Sequence, residues 1–168
     1  MIRTASAEET RALGRRLGEL LRPGDLVTLA GPFGAGKTTL VQGIGDGLGI
    51  EEHLTSPSFT LVNEYLPDES GARLPFFHLD LYRLDGAAAA IELGLDDYLA
   101  RRGAIAIEWP EAAVPALPVD RLDLELALDG DARTIALLAG GPRSAALRAA
   151  LLADGRAGAA GRGSVSAC

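Results

Sequence analysis

"LVTLAGPFGAGKTTLVQGIG", Leu26 to Gly45, decides how this chain is read. An apolar run stops at a glycine-rich loop, a lysine and two threonines follow, and a helix-like segment comes next. Gly31 to Thr38 fits G-x-x-x-x-G-K-[ST] in full. Asp25–Ala30 reads as a short buried strand, and Lys37 to about Leu48 as a helix. Glycines let consecutive backbone N–H groups turn inward around phosphate oxygens, and a helix N-terminus adds its positive end. Lys37 is placed to reach the β- and γ-phosphates, and the Thr38 hydroxyl to ligate Mg²⁺. Gly43, Gly45 and Gly47 each weaken the helix by roughly 1 kcal/mol relative to alanine. Close packing and early fraying both remain open for them.

Such a loop needs a second acid at the end of an apolar strand to hold Mg²⁺ or its water shell. Two candidates fit: Asp80, ending "LPFFHLD", and Glu108, ending "AIAIE". His78 and Asp80 lie two apart and share a strand face, where His78 reads as a hydrogen-bonded histidine at a sheet end. "LTSPSFTL", Leu54 to Leu61, puts Thr55, Ser56, Ser58 and Thr60 beside a rigid Ser-Pro step. It reads equally as an ordinary turn or as a nucleotide switch. Arg83, Arg101, Arg102 and Arg133 are candidate phosphate or base contacts. Trp109, the only tryptophan, reads as a core or subunit contact, or as a platform for a base.

The rest of the chain is read as a frame for these residues. Ser6–Leu21 is a helix, with Ser6 as N-cap and Glu9 completing a capping box. Phe59–Tyr65 and Leu74–Tyr82 are strands joined by the polar turn "LPDESGAR". Short helices follow at Ala87–Leu93 and Asp96–Arg101, then a strand at Ala104–Glu108. "WPEAAVPALP" is an irregular link. Leu122–Leu128 and Thr134–Leu138 form an antiparallel hairpin around "DGDA", and Arg143–Leu152 a last helix. The domain expectation is a single P-loop ATPase domain over 1–140. Residues 141–168 are expected to be a short helix and a disordered Gly/Ala/Arg-rich tail.

The chain has 168 residues, 48% of them apolar, enough for one domain with a real core. No apolar stretch approaches the ~18 residues of a membrane span, and "MIRTASAEETRALG" has no apolar signal segment, so a cytoplasmic location is expected. The only cysteine, Cys168, excludes a disulfide framework within the chain. A net charge of -7 argues against a broad basic grip on nucleic acid. Any role in RNA chemistry then needs a partner to supply that grip.

"GPFGAGKTT", "TSPSFTLVNEY", "FHLDLYRL" and "AIEWPE", in this order and spacing, make the chain resemble the TsaE (formerly YjeE) family from about Thr10 to Arg133. The resemblance implies an α/β P-loop NTPase fold, a compact single domain with a mixed parallel and antiparallel sheet. It implies a weak Mg²⁺-dependent ATPase needed to make N6-threonylcarbamoyladenosine in tRNA. Such a protein works with TsaB and TsaD, where ATP hydrolysis resets the complex between turnovers, and meets tRNA only through them. Carried over by motif, Gly34, Ala35, Gly36, Lys37, Thr38 and Thr39 would hold ATP phosphates, and Phe33 would also contact the nucleotide. Thr38 and Glu108 would serve Mg²⁺, and Lys37, Asp80 and Glu108 would form the catalytic set. Ser56–Phe59 would act as a switch, with Thr10 and Arg133 near the nucleotide. Pro32-Phe33 stands where the family often has Asp-Leu, and Ser58 where threonine is common. The main alternative is a small-molecule P-loop kinase, since this fold class serves both chemistries, although no clear lid segment is present. A GTP switch ranks last, because N-K-x-D is absent.

Overall fold

Seven strands form one mixed sheet in the computed structural model, which describes residues 1–84, 86, 88 and 92–160, with 154–160 in backbone only. The strands are β1 (Ile2–Thr4), β2 (Leu26–Ala30), β3 (Val62–Tyr65), β4 (Phe76–Asp80), β5 (Ala104–Glu108), β6 (Leu122–Asp129) and β7 (Ala132–Ala139). Their order across the sheet is β1-β7-β6-β2-β5-β4-β3. The inner four, β6, β2, β5 and β4, are parallel, and β1, β7 and β3 add antiparallel flanks. The helices are α1 (Ala7–Leu20), α2 (Lys37–Leu48), the single turn α3 (Pro67–Ser70), α4 (Leu95–Ala100) and α5 (Pro142–Ala160). This is the expected α/β mixed-sheet fold.

Burial on both faces explains the near-continuous apolar runs of the inner strands. On one face Val27, Leu29, Phe76, Ala106 and Leu124 pack with Leu17, Leu40, Val41 and Ile44 of α1 and α2. On the other, Leu26, Phe77, Leu79, Ile105 and Ile107 pack with Leu95 and Leu117. His78, Asp80 and Glu108 alternate with the second set, so they point to the α2 side. There the parallel strands end next to the helix start.

The glycines of α2 serve close packing. A Cβ on Gly43 would lie 2.1 Å from the Arg11 carbonyl oxygen, and one on Gly47 2.0 Å from that of Arg15. In return, a Cβ on Gly14 would meet the Leu40 oxygen at 2.1 Å and one on Gly18 that of Ile44 at 2.2 Å. Two glycines on each helix thus let the backbones touch. Gly43→Ala should destabilise the domain by about 1–3 kcal/mol, because the overpacking outweighs the gain in helix propensity. Urea unfolding measures this, and a variant as stable as the parent would contradict the packing.

Several boundaries differ from expectation. Ser6 caps α1 by accepting from the Glu9 amide at 3.2 Å, but the Glu9 carboxylate returns to the Ala5 amide at 2.8 Å. β3 begins only at Val62, because Leu61 has φ 64° and its amide closes a turn on the Pro57 carbonyl. "WPEAAVPALP" contains two 3₁₀ turns, Pro110–Ala112 and Val114–Ala116. Edge strand β1 is new. From sequence the last helix is expected to end at Leu152, whereas α5 runs to Ala160. Ala153, Ala157, Ala159 and Ala160 supply helix propensity that offsets Gly155 and Gly158. The tail from 161 onward and most of the expected Ala87–Leu93 helix lie outside the described residues. Among the described residues, no helix is long and apolar enough to cross a membrane.

Candidate functional site

The loop between β2 and α2 opens at the C-terminal edge of the parallel strands, where this fold type binds ligands. Gly31, Gly34 and Gly36 have φ of 138°, 76° and 96°, a backbone that side chains with a Cβ disfavour. The Gly36 carbonyl accepts the first helical bond, from Leu40 N at 2.9 Å. The amides of the first turn, from Lys37 on, have no partner within the helix.

A cleft of about 350 Å³ lies over this loop. Its walls include Phe33, Gly34, Gly36, Lys37, Thr38 and Thr39 from the loop and helix, and Asp80 and Glu108 from the strand ends. Ser56, Ser58, Trp109 and Arg133 complete it. Residues far apart in the chain meet here because β4 and β5 run in parallel register, with Asp80 directly beside Glu108.

Within the cleft the two acids have different neighbours. Glu108 Oε2 accepts from the Thr38 hydroxyl at 3.0 Å, and Oε1 lies 2.9 Å from His78 Nε2. Asp80 Oδ2 accepts from both the Ser56 and Ser58 hydroxyls, at 2.7 and 2.9 Å, and Oδ1 accepts from the Tyr82 amide at 3.1 Å. The Ser-Pro-Ser segment is therefore fastened to β4 through one carboxylate. Glu108, and not Asp80, stands against the hydroxyl of the phosphate loop.

Lys37 is only 5% exposed. Its ammonium donates to the Gly31 and Pro32 carbonyls, at 2.6 and 3.0 Å, and lies 3.7 Å from the centre of a Trp109 ring. Burial pushes the Lys37 pKa down, while Glu108, Glu111 and Asp80 oppose the shift. Phe33, Tyr82 and Trp109 form an aromatic cluster with centroids 4.7–5.0 Å apart, of which Phe33 and Trp109 line the cleft.

Two of the residues carried over as nucleotide contacts sit outside the cleft walls. Ala35 is fully buried in the bend of the loop. Thr10 is also fully buried, and its hydroxyl is shared with Thr4 at 2.8 Å and the Ser6 carbonyl at 3.0 Å. It backs Gly36, where a Cβ would lie 3.5 Å from the Thr10 methyl. From sequence, Ser58 falls within the candidate switch and Trp109 reads as a core, subunit or base contact, but the bond from Ser58 to Asp80 and the ring of Trp109 against Lys37 are not foreseen. Trp109 has φ 55°, rare for a non-glycine residue, and this turns the ring onto Lys37. Its place directly after a strand-end acid was the available signal. For Ser58, the signal was its spacing of two from Ser56.

The donor set suits a magnesium triphosphate. Mg²⁺ is held by one or two carboxylates or hydroxyls together with substrate phosphates. Glu108 and Thr38 present one hard oxygen each, 3.0 Å apart, beside an amide-lined loop.

Residues 4–135 match the family model described as "Threonylcarbamoyl adenosine biosynthesis protein TsaE". The chain is 38% identical over 129 residues to the tRNA threonylcarbamoyladenosine biosynthesis protein TsaE of Bacillus subtilis (strain 168), covering 77% of this chain and 78% of that protein. It is 46% identical over 117 residues to the protein of the same description from Streptomyces coelicolor, covering 69% and 77%. A crystal structure of Bacillus subtilis YdiB superposes with a TM-score of 0.75 at 34% identity, covering 92% of this chain and 94% of that one.

Proposed function

The chain belongs to the TsaE family, and from that premise we propose that it is the ATP-binding and ATP-hydrolysing component in the biosynthesis of threonylcarbamoyladenosine in tRNA. It acts in the cytoplasm with TsaB and TsaD and supports repeated turnovers of their complex. The observation that carries this reading is the convergence of the glycine loop, Lys37, Thr38, Asp80 and Glu108 on one cleft. The acidic balance of the chain accords with contact to tRNA through its partners.

The loop amides and Lys37 would surround the β- and γ-phosphates and stabilise the charge that develops as water attacks the γ-phosphorus. Lys37 would leave the Gly31 and Pro32 carbonyls to do so. Thr38 and Glu108 would hold Mg²⁺, which when bound neutralises charge on the phosphate oxygens. Asp80, close to the loop and braced by two serines, would orient the attacking water. Ser56 and Ser58 would couple the adjoining segment to that carboxylate.

Asp80→Asn should slow hydrolysis by about 10²-fold, as expected for a group that positions the nucleophile, and leave ATP affinity within a few-fold. Single-turnover hydrolysis and analogue binding separate the two effects. A collapse of binding alone would give Asp80 a different role. The function is tested by reconstitution with TsaB, TsaD, tRNA and an activated threonylcarbamoyl donor. Modified tRNA should exceed one equivalent per complex only with this chain and hydrolysable ATP. Equal yield without the chain, or with a non-hydrolysable analogue, would refute it.

A further inference from the structure

We propose that His78 is a positioning residue, holding one oxygen of Glu108 so that the other faces Thr38 and the metal of a bound magnesium nucleotide. The inference rests on the ATP-binding reading above. A carboxylate can only accept, so His78 Nε2 donates to Glu108 Oε1, at 2.9 Å, and Oε2 is left to the Thr38 hydroxyl at 3.0 Å. Both oxygens are thereby given separate duties, and the carboxylate plane is fixed.

The sheet builds this contact. His78 lies in register with Ala106 and Asp80 with Glu108, so His78 and Glu108 are diagonal neighbours on one face. The single methyl of Ala106 leaves room for the imidazole to lie toward Glu108. His78 is fully buried, and its Nδ1 has no hydrogen-bond partner among the described residues. An unpaired buried polar atom is costly, and a residue serving packing alone would avoid it. The bond that the fold keeps is the one to the acid facing Thr38. Groups that orient a metal ligand in this way commonly matter to metal affinity as much as tenfold to a hundredfold.

Glutamine and asparagine at this position separate orientation from packing. The amide nitrogen of Gln reaches about as far from the backbone as Nε2, while that of Asn reaches only as far as Nδ1. Mn²⁺ affinity is read by electron paramagnetic resonance in the presence of a non-hydrolysable ATP analogue, alongside metal-free analogue affinity and thermal unfolding. His78→Asn should weaken Mn²⁺ binding at least about tenfold, and His78→Gln less than about threefold. Metal-free analogue affinity should be unchanged in both. Equal behaviour of the two variants, whether both intact or both impaired, would overturn the role. If the asparagine variant does not fold, a folded glutamine variant decides alone: retained affinity supports the role and a tenfold loss overturns it. Failure of the unsubstituted protein to take up Mn²⁺ with the analogue would instead overturn the ATP-binding reading, and this inference with it.

Discussion

Lys37→Ala should lower ATP turnover by at least about a hundredfold, the scale of losing one charge-stabilising group in a preorganised site. It should also weaken ATP binding, since a charge-assisted contact to phosphate contributes about 1.5–3 kcal/mol. The ammonium sits in a socket made by two loop carbonyls and the face of Trp109. No other lysine exists in the chain to replace it. The same charge sets a pH dependence. Burial lowers the Lys37 pKa, so the ammonium is present below that lowered value and is lost as pH rises through it. ATP affinity should therefore begin to fall below the ordinary lysine range of about 10.4, by about tenfold per pH unit for one linked proton. Stopped-flow turnover and calorimetric affinities across alkaline pH measure both effects. Wild-type turnover in the alanine variant would contradict the assigned contact.

Glu108→Gln keeps the shape of the side chain and removes its charge. The Mg²⁺ concentration for half-maximal turnover should rise at least about tenfold, since loss of a carboxylate ligand weakens a site that has few of them. Maximal turnover should fall by about 10²-fold. ATP binding without Mg²⁺ should persist or tighten slightly, because a negative charge beside the triphosphate has been removed. The reading separates Glu108 from Asp80, whose carboxylate is occupied by Ser56, Ser58 and the Tyr82 amide. An unchanged Mg²⁺ titration would rule out the ligand role.

The features legible in the sequence are those whose physics is local. The loop announces itself because glycines, lysine and threonine at fixed spacing have one mechanism. Ser6 and Glu9 mark a helix start, and Gly130 at φ 60° closes the hairpin between β6 and β7. Features that depend on distant partners were not legible. Gly43 and Gly47 look like helix weaknesses until Gly14 and Gly18 are seen across from them. β1 has three residues, too few to show alternation, and exists because β7 offers an edge. The ring of Trp109 reaches Lys37 only through a left-handed backbone that a non-glycine residue seldom adopts. Thr10 was carried to the nucleotide by motif, yet its hydroxyl is bonded to Thr4 and Ser6 behind the loop. That Asp80 and Glu108 stand side by side yet bond different partners depends on the sheet register, which no linear pattern contains.

Calorimetric titration of the folded chain with ATP, with and without Mg²⁺, measures whether the cleft takes up a magnesium nucleotide. One ATP should bind per chain, more tightly with Mg²⁺ than without it. Absence of any magnesium-dependent uptake, with TsaB and TsaD present as well as absent, would contradict the account.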